Sequence, residues 1–342
     1  MASKRENWWG VVLAGGEGTR LQKFVKTMYG VVRPKQFCAI VGSRSMLRHT
    51  LDRIRHLIHP HRIVTLVNRS HVDFARQQLG DQSPASVLVQ PCGRETTAGI
   101  LYPLLHIYHR NPDAVVAIFP SDHFILEEDK FIEYADRGMH FAAAHPGSIV
   151  LLGIAPSRVE GDYGWIEKDH AIANPWNLQA HRIRKFWEKP SASLAESLYQ
   201  KGCLWNTFIM MGTAATFLTQ FHTHVPGMFQ QLNSVMRLPD LAARESVLNN
   251  IYPAFPSLNY SKSILERNTS HVNVVELTDV YWSDWGDERR IMLDVERLNL
   301  RLYRSTPSLP VSVDITSIGP VDVHQQPGER ARADLINDAL QI

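Results

Sequence analysis

Short runs of apolar residues alternate with longer segments of helical spacing through the first half of the chain. Runs that are apolar throughout are typical of strands covered on both faces, whereas apolar positions three and four apart indicate a helix with one buried face. Their alternation predicts βαβ units and a parallel sheet with helices on both faces. The predicted strands span residues 8–14, 63–67, 86–89, 114–119 and 149–154, and the predicted helices span residues 46–58, 71–79, 97–109 and 130–144.

The second half of the chain has a more mixed pattern. Ser191 is suited to open a helix over residues 191–201, because a serine side chain accepts a hydrogen bond from an amide of the first helical turn. No internal repeat is visible. Extended segments are predicted at residues 163–168, 181–188, 204–212 and 272–277.

The pattern weakens after about residue 300, where Pro and Gly recur. Residues 331–342 are predicted to form a short amphipathic helix. We therefore expect a large domain over residues 1–300 and a short C-terminal extension over residues 301–342.

The composition is that of a soluble globular enzyme, with 342 residues, 44% hydrophobic and 20% charged. A formal net charge of +2 argues neither for a nucleic-acid binder nor for a membrane-surface protein. No stretch approaches the roughly 20 apolar residues of a membrane span. The three cysteines have neither disulfide nor zinc spacing. We expect a cytoplasmic protein that acts on small molecules, with no nucleic-acid or membrane partner.

A glycine-rich segment, from Ala14 to Leu21, directly follows the first predicted strand. Glycines let backbone N–H groups approach phosphate oxygens, and Arg20 adds a fork of donors suited to phosphate. The segment lacks the Gly-Lys-Ser/Thr ending of a Walker loop. It also has Leu21 where a dinucleotide fingerprint has its third glycine, which disfavours a dinucleotide-dependent oxidoreductase.

A single lysine, Lys35, follows Pro34, which restricts the backbone just before it. A lysine at such a position is most often a solvated surface residue. Beside a glycine-rich phosphate loop, we interpret it as a phosphate contact.

Two more polar segments follow predicted strands, at the sheet edge where ligands of such folds bind. Gln90 and Gly93 stand in the first of these segments, which also fits a helix-capping loop with Thr96 or Thr97 as the cap. Asp122 is suited to hold Mg²⁺ on phosphate oxygens, and its alternative role is that of a helix N-cap.

The segment Gly-Gly-Glu-Gly-Thr-Arg-Leu, followed by Arg-Pro-Lys-Gln-Phe at residues 33–37, resembles the signature of the sugar nucleotidyltransferases. The Pro-Lys-Gln-Phe form is similar to that of mannose-1-phosphate guanylyltransferases, and further motifs recur in order across residues 8–290. The resemblance implies a Rossmann-like, mostly parallel mixed sheet of the nucleotide-diphospho-sugar transferase type. It also implies that Arg20 and Lys35 are catalytic, since they would hold the triphosphate and stabilise the leaving pyrophosphate. The nucleotide-binding residues that it implies are Ala14, Gly15, Gly16, Gly18, Thr19, Gln90, Gly93 and Thr97.

The resemblance extends to an acceptor site and a metal site in the second half. Tyr-Gly-Trp-Ile-Glu at residues 163–167, Glu-Lys-Pro at 188–190 and Trp-Asn at 205–206 are similar to the segments that contact the sugar and its phosphate. Asp284 would join Asp122 as a Mg²⁺ ligand, with Asp287 a weaker candidate, and Glu266 receives no catalytic role. The implied sugar-phosphate ligands are Gly164, Glu188, Lys189 and Asn206.

Three single residues and one segment depart from the pattern of this family. Gln90 stands where Glu is usual, Glu95 where Asn is usual, and Asn259 where Asp is usual. The segment after the glycine loop, residues 22–32, is also unusual, and we expect a long loop there that affects closure over the triphosphate.

The expected reaction transfers GMP from GTP to mannose-1-phosphate, which gives a nucleotide sugar and pyrophosphate. One alternative is the same chemistry as a glucose-1-phosphate uridylyl- or thymidylyltransferase. Another is a non-catalytic nucleotide-sugar-binding paralogue with a regulatory role, which predicts a broken set of Arg, Lys and Asp residues. The sequence leaves the oligomeric state open, and a homo-oligomer is compatible with it.

Overall fold

The computed structural model describes residues 2–83 and 86–303, which divide into two compact units. The first unit, here called the sheet unit, comprises Met1–Glu17 and Thr50–Asp284. The second, here called the small unit, comprises Gly18–His49 and the chain from Trp285 onward. The predicted helix over 331–342 and nearly all of the predicted extension lie outside the described residues.

The sheet unit is built on a nine-stranded mixed sheet. Its order is β3-β2-β1-β4-β9-β6-β10-β8-β7, and β8 and β9 run opposite to the other strands. The mostly parallel mixed sheet expected from the sequence is therefore confirmed. A separate two-stranded ribbon pairs β5 with β11. The strands are β1 Trp8–Ala14, β2 Ile63–Asn68, β3 Val87–Gln90, β4 Val115–Pro120, β5 Phe124–Ile125, β6 Ile149–Ile154, β7 Gly164–Ala171, β8 Ala180–Glu188, β9 Leu204–Thr213, β10 Val272–Leu277 and β11 Trp282–Ser283.

Apart from residues 22–29, which form an unpredicted helix, the described α-helices follow the prediction closely in the first half of the chain. No element was predicted between residues 213 and 271, where the structure has four α-helices. Ser191 caps its helix as expected, because its hydroxyl accepts a hydrogen bond from the Leu194 amide. The helices are α1 Gln22–Tyr29, α2 Met46–Arg55, α3 Val72–Gln78, α4 Glu95–Tyr108, α5 Glu128–Ala144, α6 Ala192–Gln200, α7 Ala214–His224, α8 Pro226–Met236, α9 Leu241–Ile251, α10 Tyr260–Ser263 and α11 Glu288–Arg297.

Consecutive side chains of β9 show that helices cover both faces of the sheet. Met210 is buried in the core that also contains residues of α4, α7 and α8. Met211 points to the other face, where a β-carbon on Gly138 of α5 would lie 2.8 Å from its sulfur. Successive residues of a strand face opposite sides, so these two contacts identify two helical layers.

Two local predictions are wrong. The segment 22–32 is not simply a long loop, because residues 22–29 form α1, which ends at Gly30 with a φ of 73°. Helix α4 begins at Glu95 after Arg94, so Thr96 and Thr97 lie within its first turn and do not cap it.

The small unit holds α1 and α11 together with two short 3-10 turns, Thr19–Leu21 and Lys35–Phe37. A single antiparallel bridge pairs Val41 with Leu302. No helix among the described residues of either unit combines the length and apolar character needed to cross a bilayer.

Candidate active site

The carboxyl ends of β1 and β3 meet through Gly15 and Gln90. A β-carbon on Gly15 would lie 2.7 Å from Gln90 Nε2, so any other residue at position 15 would displace this amide. Gly93 lies in the segment after β3, and a β-carbon there would be 3.8 Å from Glu17 Oε1. The structure thus brings Gly15, Gln90 and Gly93 together. Ala14, which is buried at the end of β1, and the exposed Gly16 flank Gly15 in the chain.

The orientation of Gln90 depends on a residue that the sequence analysis missed. The Tyr252 hydroxyl donates to Gln90 Oε1 at 2.9 Å, and Tyr252 is fully buried. With Oε1 engaged in this bond, Nε2 is the atom that faces Gly15. The two residues are 162 positions apart, and no local pattern near Tyr252 points to this contact.

Thr97 lies in the first turn of α4 and is fully buried. Its backbone amide donates to Leu258 O, whereas its hydroxyl has no hydrogen-bond partner within residues 2–83 and 86–303. Its neighbour Thr96 accepts a hydrogen bond from the Tyr260 amide. The predicted role of Thr97 in nucleotide binding stays a prediction.

The ribbon of β5 and β11 places Asp122 and Asp284 at the same end. Ser283 pairs with Phe124 in an antiparallel ladder, so the chain just before Phe124 and the chain just after Ser283 lie at the same end of the ribbon. Asp122, two residues before β5, and Asp284, directly after β11, both lie at that end.

Two hydrogen bonds fix the surroundings of these carboxylates. The Tyr163 hydroxyl donates to Asp284 Oδ1 at 2.8 Å, and the Trp282 indole donates to His123 Nδ1 at 3.2 Å. Helix α5 has Glu127 at its N-cap position, so Asp122 does not cap it. The alternative role of Asp122 is thereby excluded.

The donor chemistry of this pair fits a hard divalent cation. Magnesium sites commonly use one or two carboxylates and complete the octahedron with phosphate oxygens and water. Across the described parts of the chain, no group of three or more His, Cys, Asp or Glu residues is placed to hold a metal ion by itself. Asp122 and Asp284 therefore suit a metal that arrives with a phosphate ligand.

The predicted sugar-phosphate ligands converge where β7, β8 and β9 meet. Gly164 pairs with Glu188 across the sheet, and a β-carbon on Gly164 would lie 3.1 Å from Glu188 Oε2 and 3.3 Å from Asn206 Cβ. Lys189 Nζ is 3.7 Å from Glu188 Oε1. Tyr163 precedes Gly164 directly, so its bond to Asp284 links this cluster to the two carboxylates.

The charge of Glu188 is influenced by its burial and its neighbours. Burial raises the pKa of Glu188 above its usual range, and the nearby Lys189 charge lowers it. Glu266, to which no role was given, accepts a hydrogen bond from the Glu188 amide. Glu266 thus holds the backbone from which the Glu188 side chain projects.

We expect Gly164→Ala to destabilise the protein by about 1–3 kcal/mol, the usual effect of overpacking. The new methyl group would lie 2.9 Å from Phe186 Cζ and against Glu188, so side chains must shift. Thermal unfolding would show this as a Tm lower by several degrees. The matched control is Gly147→Ala, whose methyl group meets no atom within 4 Å. Equal Tm values for the two variants would contradict the packing described here.

The other predicted phosphate ligands belong to the small unit. Gly18 has a φ of 61°, and a β-carbon on it would lie 3.2 Å from the Lys35 amide nitrogen. Thr19 and Arg20 are exposed, whereas Lys35 is buried, and its Nζ donates to Trp285 O at 3.1 Å. Asp287, the weaker metal candidate, caps α11 through the Arg290 amide.

The model of the nucleotidyl transferase family matches residues 9–293, so the chain belongs to that family. Among curated relatives, it is similar to a mannose-1-phosphate guanylyltransferase of Salmonella montevideo, with 29% identity over 283 residues. The match covers 81% of this chain and 57% of that protein. A mannose-1-phosphate guanylyltransferase 2 of Escherichia coli O157:H7 is 30% identical over 236 residues, covering 66% of this chain and 47% of that protein. The chain thus spans about half the length of these relatives.

The fold also has solved counterparts. A Thermus thermophilus structure, titled as a mannose-1-phosphate geranyltransferase, superposes with a TM-score of 0.71 at 24% identity. The superposition covers 84% of this chain and 79% of that one. It supports the fold described above, because likeness at this level of identity reflects architecture.

Proposed function

We propose that this protein transfers GMP from GTP to mannose-1-phosphate and releases pyrophosphate. The observation that carries the proposal is the bond from Tyr163 to Asp284, at 2.8 Å. It joins the carboxylate pair suited to a metal–phosphate complex to the cluster of Gly164, Glu188 and Asn206 suited to a sugar phosphate. The names of the curated relatives support the choice of mannose-1-phosphate and of a guanylyl group.

The reaction requires two anions to meet. Phosphate oxygens repel each other more strongly as water is excluded, so the site must supply positive charge. We assign this role to Arg20 and Lys35 for the triphosphate and to Lys189 for the sugar phosphate. An oxygen of the sugar phosphate then attacks the α-phosphorus, the bond to the β-phosphate oxygen breaks, and pyrophosphate leaves with that electron pair.

No protein nucleophile is needed for this transfer, because positioning and electrostatic stabilisation supply most of the catalysis in phosphoryl chemistry. Two of the cysteines are poorly suited to act as one. Burial raises the pKa of the Cys38 thiol to about 12 and that of Cys203 to about 11.

Mg²⁺ is the cofactor that the carboxylate pair fits. When bound, it would neutralise phosphate charge and orient the α-phosphate for in-line attack. Asp122 and Asp284 would hold it, and Tyr163 would keep Asp284 in place. Gln90 and Gly93 would face the base, and Glu188 and Asn206 would bind sugar hydroxyls.

A substrate panel tests the proposal. The purified chain is incubated with Mg²⁺, one nucleoside triphosphate and one sugar-1-phosphate, and pyrophosphate release is measured. We expect the highest kcat/KM for GTP with mannose-1-phosphate. Preference for UTP or dTTP with glucose-1-phosphate would instead support the alternative transferase. Nucleotide-sugar binding without pyrophosphate release for any pair would favour the regulatory paralogue.

We expect Lys189→Met to raise the KM for mannose-1-phosphate by about tenfold, roughly 1.4 kcal/mol, and to change the KM for GTP little. The substitution removes an ammonium group beside Glu188 while it keeps a side chain of similar length. Initial rates at varied acceptor concentration measure the effect. Lys130→Met, at an exposed position of α5, is the control. An unchanged acceptor KM would remove Lys189 from the acceptor site.

A further inference from the structure

The glycine-rich segment carries a carboxylate, Glu17, directly after Gly15 and Gly16. Like charges repel, so a negative charge at this place opposes the binding of a triphosphate unless the Glu17 side chain, which is 52% exposed, is held elsewhere. Glu17 has no role in the proposed mechanism.

Two buried side chains hold Glu17 from the neighbouring strand end. Asn68 Nδ2 donates to Glu17 Oε1 at 2.8 Å, and His71 Nε2 lies 3.3 Å from Glu17 Oε2. Asn68 and His71 are 3% and 4% exposed. Each carboxylate oxygen of Glu17 therefore has its own partner.

Asn68 is itself fixed by the chain around it. It is the last residue of β2, and its Oδ1 accepts a hydrogen bond from the Ser70 amide, which leaves Nδ2 to face Glu17. Gly93 packs beside the pair, since a β-carbon there would lie 3.6 Å from Asn68 Nδ2. The amide is thus oriented as a donor toward the glycine segment.

We propose that Asn68 and His71 are positioning residues that hold the Glu17 carboxylate against the end of β2. They keep this charge turned away from the bound phosphates and fix the Gly15–Gly16 backbone that receives them. The inference rests on the proposed function, because it concerns the triphosphate site of that reaction. Neither residue touches the substrate in this account.

A reversal of the hydrogen bond tests this arrangement. Asn68→Asp keeps the acceptor for the Ser70 amide but sets two carboxylates at hydrogen-bond distance, so Glu17 should leave its place. Adding Glu17→Gln restores a pair of one amide and one carboxylate, with the amide now at position 17 and the carboxylate at position 68. The reversed pair can form the same bond in the opposite direction.

The measurement is the KM for GTP and kcat at saturating mannose-1-phosphate. We expect Asn68→Asp to raise the KM for GTP at least tenfold with kcat within about threefold of the wild type. The double variant Asn68→Asp/Glu17→Gln should return the KM to within about threefold of the wild type. Asn250→Asp, on the exposed side of α9, controls for the added negative charge.

A wild-type KM for GTP in Asn68→Asp, or a double variant no better than the single one, would overturn the proposal. If Asn68→Asp does not fold, Asn68→Ala takes its place, and Glu17→Gln should lower the KM for GTP in that background. Wild-type chain without turnover on any substrate pair would refute the proposed function instead, so the two failures are distinguishable.

Discussion

Asp122→Asn should lower kcat at least about a thousandfold, roughly 4 kcal/mol of transition-state stabilisation, while the fold stays intact. Asp122 and Asp284 lie at the same end of the β5–β11 ribbon, and the N-cap of α5 is Glu127 and not Asp122. The substitution keeps the size of the side chain and removes the charge that a cation requires. The expected loss is therefore chemical, with a Tm close to that of the wild type.

Steady-state kinetics and circular dichroism measure the two parts of this prediction. Electron paramagnetic resonance of Mn²⁺ provides a readout independent of turnover, because the variant should bind Mn²⁺ with GTP more weakly. Asp129→Asn, an exposed carboxylate in the first turn of α5, is the matched control. Wild-type turnover by Asp122→Asn would remove Asp122 from the mechanism.

The strands of the first half could be predicted because burial on both faces leaves a plain apolar run. The predicted strands at 8–14 and 149–154 match β1 and β6 residue for residue, and in the second half 272–277 matches β10 in the same way. The start of α4 could not be predicted in this way. Its first residue, Glu95, has a φ of 57°, a conformation uncommon for a residue other than glycine, and the N-cap residue Arg94 supplies no side-chain bond.

Candidate site residues could be predicted only where a suitable residue type stands at the end of a predicted strand. Asp122 and Gln90 stand at such ends, and the sequence placed both there. Tyr252 and Tyr163 act through contacts 162 and 121 residues away, which depend on the packing of the whole sheet unit. Their hydroxyl groups orient Gln90 and Asp284. The sequence therefore did not predict the hydrogen bonds that hold these proposed ligands in place.

Lys35→Met is expected to lower kcat by about 10²–10³-fold, because it removes positive charge from the developing pyrophosphate. The buried lysine also donates to Trp285 O at 3.1 Å, and the Trp285 indole donates to Asp294 at 2.8 Å. The variant therefore leaves a carbonyl without this donor, and we expect a Tm lower by a few degrees as well.

The two effects of Lys35→Met can be separated by temperature and by a control. Assays well below the Tm of the variant report the loss of charge, since the folded fraction is then close to one. Lys26→Met, at an exposed position of α1, should leave both kcat and Tm near the wild type. If Lys35 served only the Trp285 carbonyl, Lys35→Met would lower the Tm while kcat at low temperature stayed within a few fold of the wild type. The phosphate contact predicts a large kcat loss at every temperature, which such a structural role would not produce.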